Sequence, residues 1–319
     1  MKMNGIAVGV DLGGSFIKSG LVNAQGEILR DTTIPAEANK GPRHVIEQIT
    51  KSVHQLIDQS SYKKKELVGI GVGSPGTVDL DGGTVKYPPN FPNWTIVRLG
   101  EALHEAFGLH VEVDNDANAA ALGEAKFGAG LGHENFIMVT LGTGVGGGLF
   151  LDGKIFRGPL GGAGELGHMT IDYNGPLCNC GNRGCVEAYV GAKYLTQRAI
   201  EKLKNNPTSK ILALVKSDIA RIDPKIISLA AQEGDPTALD VLAETGMYLG
   251  IGLASLVNLL DVRLVIIGGG IARAGKPLFD AVKESVRHRV LKSISDNVEV
   301  LPAKLGNSAG ILGAAALVL

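Results

Sequence analysis

The chain has 319 residues, a formal net charge of −1, 45% hydrophobic residues and 20% charged residues. That length accommodates two domains with substantial cores, and the balanced charge excludes a polybasic face for nucleic acid or an anionic membrane. The apolar runs are broken before the roughly 18 residues that span a bilayer, no leader pattern precedes the first strand-like stretch, and three cysteines cannot pair off as disulfides, so the expectation is a soluble cytoplasmic protein in a reducing compartment.

The 45 glycines are clustered rather than periodic, which points to tight turns beside a ligand. Residues 6–12 (IAVGVDL) read as a buried strand. Gly13-Gly14-Ser15 turns the chain into a second strand over 16–22, and Asn23–Gly26 into a third over 27–30. Apolar residues at 45, 49, 53 and 56 have helical spacing within 43–59. A strand over 67–72 ends at Ser74-Pro75-Gly76, and YPPNFPNW at 87–94 is a loop. A helix over 100–107 and a strand over 111–113 follow; Asp114-Asn115-Asp116 then opens a helix over 117–127.

The pattern then recurs. Residues 135–141 form a strand, Gly142-Thr143-Gly144 a turn, 145–151 a second strand, and Asp152-Gly153 a hairpin turn. This copy lies about 130 residues after the first, and the repetition predicts duplicated α/β domains that face each other. Beyond residue 187 the pattern is mostly helical. Asp223-Pro224 and Asp235-Pro236 are each a cap followed by a proline at the first helical position. A strand over 263–267 runs into Gly268-Gly269-Gly270, a helix covers 276–290, a strand 298–302, and an alanine-rich helix 308–319 closes the chain. The apolar faces of 226–229 and 241–260 suit either intradomain core or a dimer interface.

Four stretches carry chemistry. Residues 165–187 hold all three cysteines, Cys178, Cys180 and Cys185, with His168 ten residues before the first. Three thiolates and an imidazole make a complete tetrahedral set for zinc, and Gly181 and Gly184 let the backbone turn tightly enough for the sulfurs to converge. Four protein ligands leave no open position for an activated water, so the zinc is structural. Glu165 and Glu187 bracket this knot. Asp11–Lys18 is a bare-backbone turn that can present N–H groups to phosphate. It is not a Walker loop, which needs a lysine at the start of a helix. Asp11 can hold Mg²⁺ through water, or simply cap an ordinary hairpin. Five glycines within 141–148 weaken a strand pair by roughly 0.5–1 kcal/mol each relative to alanine, a cost that points to close approach of a ligand. At 114–118, carboxylates and amides meet a strand-to-helix junction, where Asp116 suits a general base and equally suits a helix cap. Gly268–Gly270 and Gly306–Gly310 have the form of nucleotide-edge turns, or of plain helix starts.

Taken together these motifs resemble the ROK family of repressors and sugar kinases, and within it the glucokinase branch. Asp11–Lys18 is similar to its D-x-G-G-(T/S)-x-x-K loop, with Ser15 where threonine is commoner. Leu141–Gly148 is similar to G-T-G-x-G-G-G, and Glu165–His168 with Cys178–Glu187 to E-x-G-H followed by C-x-C-G-x-x-G-C-x-E. The last signature is the specific one, and the resemblance covers essentially the whole chain. The phosphate loop begins about ten residues from Met1, so the helix-turn-helix that repressor members carry is expected to be absent.

The resemblance implies an α/β fold of two actin-like, ribonuclease-H-like ATPase domains flanking a cleft. Residues 1–118 with 305–319 would form the small N-terminal domain, and 119–304 the large domain with the zinc-binding loop. ATP and Mg²⁺ would lie in the cleft, held by Asp11, Gly13, Gly14, Ser15 and Lys18 on one side and by Gly142, Thr143, Gly144 and Gly269 on the other. Asp116 would be the catalytic base facing the sugar's 6-hydroxyl. Gly76, Asn90, Asn115, Glu165, His168 and Glu187 would join it around the sugar. His168 would serve twice, one ring nitrogen on zinc beside Cys178, Cys180 and Cys185 and the other on a hydroxyl.

The implied reaction is transfer of the γ-phosphoryl group of ATP to the 6-hydroxyl of glucose. Fructose, mannose, N-acetylmannosamine and N-acetylglucosamine are alternative acceptors, and a non-catalytic sugar-sensing regulator is the alternative outside the class. A carboxylate with a pKa of about 4 is too weak to ionise an alcohol beforehand. It orients the hydroxyl and takes its proton late, because phosphoryl transfer is mainly positioning and charge stabilisation. Domain closure would exclude water, and the zinc would pin Glu165, His168 and Glu187. The expected partners are sugar and ATP, with no nucleic acid and no membrane, in a homodimer.

Overall fold

Two five-stranded sheets organise the chain, and the computed structural model describes residues 5–79, 81–89 and 91–319. The first sheet begins with β1 (Ile6–Leu12), β2 (Phe16–Asn23) and β3 (Ile28–Pro35), paired antiparallel. After α1 (Pro42–Asp58) it gains β4 (Leu67–Ser74), parallel to β1. Three short strands, β5 (Thr77–Asp79), β6 (Thr84–Lys86) and β7 (Ile96–Arg98), make a separate antiparallel sheet. Then α2 (Leu99–Phe107) leads to β8 (Val111–Asn115), parallel to β4, and α3 (Asp116–Phe127) follows without a break.

The second half repeats this plan. β9 (Phe136–Leu141), β10 (Val145–Leu151) and β11 (Lys154–Ile155) come first. A helical stretch follows: α4 (Glu187–Val190), α5 (Ala192–Leu203), α6 (Lys210–Leu214), α7 (Pro224–Gln232) and α8 (Pro236–Leu260). β12 (Leu264–Gly268), α9 (Lys276–Arg289), β13 (Glu299–Pro302) and α10 (Ala309–Ala316) complete the chain. The strand orders are β3-β2-β1-β4-β8 and β11-β10-β9-β12-β13, so the third, second, first, fourth and fifth strands of each copy occupy matching places. The duplication expected from the recurring strand–turn–strand pattern is therefore present in the topology.

The chain divides into two compact units, one of Met1–Glu134, Gly148–Gly164 and Lys304–Leu319, the other of Asn135–Gly147 and Glu165–Ala303. In the first, Val45, Ile49, Val53 and Leu56 of α1 are buried in one core with Ile17 and Leu21 of β2. α10 lies on the strands through backbone rather than side chains. A Cβ on Gly9 of β1 would stand 2.0 Å from the Ile311 carbonyl oxygen, and one on Gly71 of β4 only 1.8 Å from that of Ala314. On its other side Gly313 approaches α3, where a Cβ would meet the Ala119 carbonyl at 1.9 Å. Small residues at these positions let three backbones pack at contact distance, which is why the closing helix is rich in alanine and glycine.

In the second unit α8 packs along α9, with Gly246 and Gly250 admitting the α9 backbone. Both expected caps are present: Asp223 accepts the Ile226 N–H and Asp235 the Ala238 N–H, each at 2.8 Å, ahead of a proline. By length and composition α8 is apolar enough to cross a membrane, but most of its apolar stretch is buried inside the unit. Its Val241, Leu242, Leu249, Leu253 and Val257 are core.

Some boundaries differ from expectation. β3 extends to Pro35, because the alternation of Thr32, Thr33 and Ile34 continues its pairing with β2. α10 stops at Ala316 rather than at the chain end. The β5–β7 sheet has no counterpart in the sequence reading, since three-residue strands are too short to display a period. The Asp152-Gly153 hairpin is as expected, with φ of 51° and 74° as a type I′ turn requires.

Candidate active site and thiol cluster

In the first unit the β1–β2 hairpin carries Gly13, Gly14 and Ser15. The Gly13 N–H donates to the Phe16 carbonyl at 3.0 Å, and the Ser15 carbonyl accepts the Ala36 N–H at 2.9 Å. Asp11 is paired with Lys18 across the ladder, with the Lys18 ammonium 3.3 Å from Asp11 Oδ2. The Asp11 carboxylate rests on the bare Cα of Gly310 at the start of α10, where a Cβ would come within 2.4 Å of its Cγ. The motif at 306–310 thus serves the phosphate-type hairpin as the glycine against which Asp11 packs.

The β8–α3 junction holds the second set. Asn115 is the N-cap of α3, its Oδ1 accepting the Ala117 N–H at 2.9 Å and the Asn118 N–H at 3.3 Å. Capping therefore falls to Asn115, and Asp116 stands at the first helical position with its carboxylate exposed and Oδ1 accepting the Ala117 N–H at 2.8 Å. Gly76 is brought to the same place. Its carbonyl accepts from Asn115 Nδ2 at 3.1 Å, and its φ of +88° with Lys86 and Pro88 backbone 2.8 Å from any Cβ makes glycine obligatory. Asn90 lies outside the described residues.

Asp114, just before the cap, is buried, with 3% of its side chain exposed. Its Oδ2 accepts from Arg157 Nε at 2.8 Å and Nη2 at 2.7 Å, and its Oδ1 from the Asn115 N–H at 2.8 Å and Asn118 Nδ2 at 3.1 Å. No sequence motif marks Arg157. A carboxylate at the buried end of a strand signals that a cation must exist somewhere, but nothing local says where.

In the second unit the Gly142–Gly144 turn is held from several directions. Gly142 N–H donates to the Gly144 carbonyl at 3.0 Å, and the Gly142 carbonyl accepts the Ala192 N–H at 3.1 Å from the start of α5. Gly269, with φ of +91°, lies against Leu141, whose carbonyl oxygen would be 2.2 Å from a Cβ. Beneath the turn sits Glu187, buried at the start of α4. Its Oε2 accepts the Val145 N–H at 3.0 Å and would be 2.6 Å from a Cβ on Gly144.

The other oxygen of Glu187, Oε1, faces the Cys178 thiol at 3.7 Å. His168 Nδ1 is 3.8 Å from Cys178 Sγ, and the sulfurs of Cys180 and Cys185 are 3.7 Å apart. The four donor atoms of His168, Cys178, Cys180 and Cys185 all lie within 4.8 Å of one another. Donors about 2.3 Å from a tetrahedral zinc are about 3.8 Å from each other, so this set fits that ion. Isolated bridges Thr170–Cys185 and Leu177–Arg183 fold the loop, and Gly181 and Gly184 take φ of 92° and 66°. Glycine is required at 184, where a Cβ would lie 1.6 Å from the Asp172 carbonyl. Burial and then the thiols of Cys180 and Cys178 push the Cys185 thiol up to about 12, a penalty that a divalent cation reverses by binding the thiolate. The remaining ring nitrogen, His168 Nε2, stands 4.0 Å from Glu165 Oε2, and both side chains are open to solvent.

Two sheets of this order, each with a glycine turn after its first strand, define an actin-like, ribonuclease-H-like ATPase. Within that class the ROK family model matches residues 7–319, and the chain belongs to the ROK family. It is similar to the glucokinase of Thermotoga maritima, at 38% identity over 98% of this chain and 96% of that protein. It is also similar to the xylose repressor of Bacillus subtilis, at 34% identity over 100% of this chain and 78% of that one. Among solved structures, a ROK family glucokinase from Streptomyces griseus in complex with glucose and AMPPNP superposes with a TM-score of 0.87, at 36% identity over 98% of this chain and 99% of that chain.

Proposed function

We propose that this chain is an ATP-dependent hexokinase that transfers the γ-phosphoryl group of ATP to the 6-hydroxyl of glucose. The observation that carries this reading is the β8–α3 junction, where Asn115 is the N-cap and Asp116 takes the exposed first helical position. In this role Asp116 orients the 6-hydroxyl and accepts its proton late in the transfer. Asn115 and the Gly76 turn it fixes, together with Asn90, Glu165, His168 and Glu187, are the proposed sugar contacts. A carboxylate offers about four lone-pair sites, so Glu187 retains acceptor capacity for a hydroxyl beside its bond to Val145. Sites that hydrogen-bond each hydroxyl reject analogues that lack one.

For the nucleotide, Gly13, Gly14 and Ser15 and the Gly142–Gly144 turn with Gly269 offer backbone N–H groups to phosphates. Lys18 adds charge, and Asp11 is the proposed ligand to Mg²⁺ through water. When bound, Mg²⁺ neutralises charge on the transferring group. Zinc on His168, Cys178, Cys180 and Cys185 is structural in this account; it fixes His168 Nδ1 and leaves Nε2 to the sugar. The protein is proposed to be cytoplasmic and homodimeric, with Leu259 and Leu291, both exposed, as side chains a partner would cover.

An ADP-release assay over glucose, fructose, mannose, N-acetylmannosamine and N-acetylglucosamine tests the assignment. Turnover highest with glucose is expected. Turnover only with another hexose would move the substrate. Glucose binding by calorimetry without turnover of any sugar would replace the kinase with the regulator to which the repressor likeness points.

A further inference from the structure

We infer that Arg157 is a positioning residue for Asp116, acting through the buried carboxylate of Asp114; this rests on the kinase reading above. Asp114 carries its charge inside the fold, where an unpaired carboxylate is strongly unfavourable. Arg157 meets it with two donors, Nε and Nη2, on the same oxygen, Oδ2. Its third nitrogen, Nη1, donates to the Ile155 carbonyl at 3.4 Å, which ties the guanidinium to β11, itself paired to β10.

That arrangement decides what the other oxygen does. With Oδ2 taken by Arg157, Oδ1 is turned to the Asn115 N–H and Asn118 Nδ2. These two residues stand on either side of Asp116 along the chain. Asn115 also caps α3 and fixes the Gly76 carbonyl. Asn118 is 1% exposed and its Oδ1 is buried with no hydrogen-bond partner among the described residues, so the Asp114 bond is what orients its amide. A rotation of the Asp114 carboxylate would release Asn115 and Asn118, which flank Asp116 and Ala117, at once. Arg157 prevents that rotation, and it does so by geometry as well as charge, because a planar fork fixes a carboxylate where a lysine ammonium only attracts it.

The inference separates Arg157 from an ordinary buried ion pair, whose loss would change stability and leave the turnover of folded protein alone. Arg157→Lys and Arg157→Ala are compared with the parent enzyme by steady-state kinetics on glucose and ATP, with thermal melts to confirm folding. The expected result is kcat lowered about tenfold in Arg157→Lys and about a hundredfold in Arg157→Ala, with the KM of ATP within threefold of the parent. Added guanidinium ion should restore part of the Arg157→Ala turnover. The inference is overturned if Arg157→Lys keeps kcat within twofold of the parent, or if folded Arg157→Ala gains nothing from guanidinium. If Arg157→Ala does not fold, the Arg157→Lys result alone decides. An inactive parent would instead remove the kinase reading, so the two failures are distinguishable.

Discussion

Gly13-Gly14-Ser15 and Gly142-Thr143-Gly144 each follow the first strand of a five-stranded sheet, yet they are held in different ways. The first turn is closed by the Gly13–Phe16 bond of its own hairpin and by the Ala36 N–H on the Ser15 carbonyl, and it leans on Gly310 through Asp11. The second is tied to α5 through Ala192, to the β12 end through Gly269, and to Glu187 beneath it. Because Glu187 also faces Cys178, the second turn is one side chain away from the thiol cluster. The same local pattern is therefore tied to the start of α10 and the residue after β3 in one copy, and to α5, the end of β12 and the thiol loop in the other. Damage to the cluster should reach the second turn and spare the first.

The largest expected effect calibrates that contrast, because it touches neither turn. Asp116→Asn should lower kcat by roughly 10²- to 10⁴-fold, the range for a positioned general base, with the KM of glucose and ATP nearly unchanged in steady-state assays. Next comes the cluster itself. Chelation, or Cys180→Ser, should lower kcat/KM for glucose by about tenfold or more, as loss of a structural metal frees its ligands. It should also raise the KM of ATP through Glu187. A normal ATP KM after verified metal loss would break the comparison.

The glycines sharpen it further. Gly144→Ala places a Cβ 2.6 Å from the buried Glu187 carboxylate, whereas Gly13→Ala places one 3.1 Å from the Phe16 carbonyl at an exposed hairpin tip. Thermal melts should show Gly144→Ala less stable by about 1–3 kcal/mol, typical of overpacking, and Gly13→Ala by clearly less. Equal losses would mean that the two turns are held alike. The smallest effect belongs to Lys18→Met: its pair with Asp11 is partly open to solvent at 3.3 Å, so stability should change by no more than about 1 kcal/mol while the KM of ATP rises.

What was legible in the sequence is what is local. The alternation in β1, the helical spacing of Val45, Ile49, Val53 and Leu56, the Asp-Pro caps and the type I′ hairpin all state their structure within a few residues. The cysteine cluster was legible because its ligands, His168 apart, fall within eight residues. Contacts between distant segments were not. Arg157 meets Asp114 across 43 positions and Val145 meets Glu187 across 42, and neither pairing leaves a periodic trace. The glycines of β1 and β4 were readable as glycines, but not as the floor on which α10 rests, since that needs the close approach of three backbones.

The most direct test of the central claim is the position of the transferred phosphate. ³¹P and ¹³C nuclear magnetic resonance of the product formed from ATP and uniformly labelled glucose reads it without coupling enzymes. The account predicts phosphorus coupled to carbon 6. Phosphate on any other carbon, or ADP formed with glucose left unmodified, would contradict it.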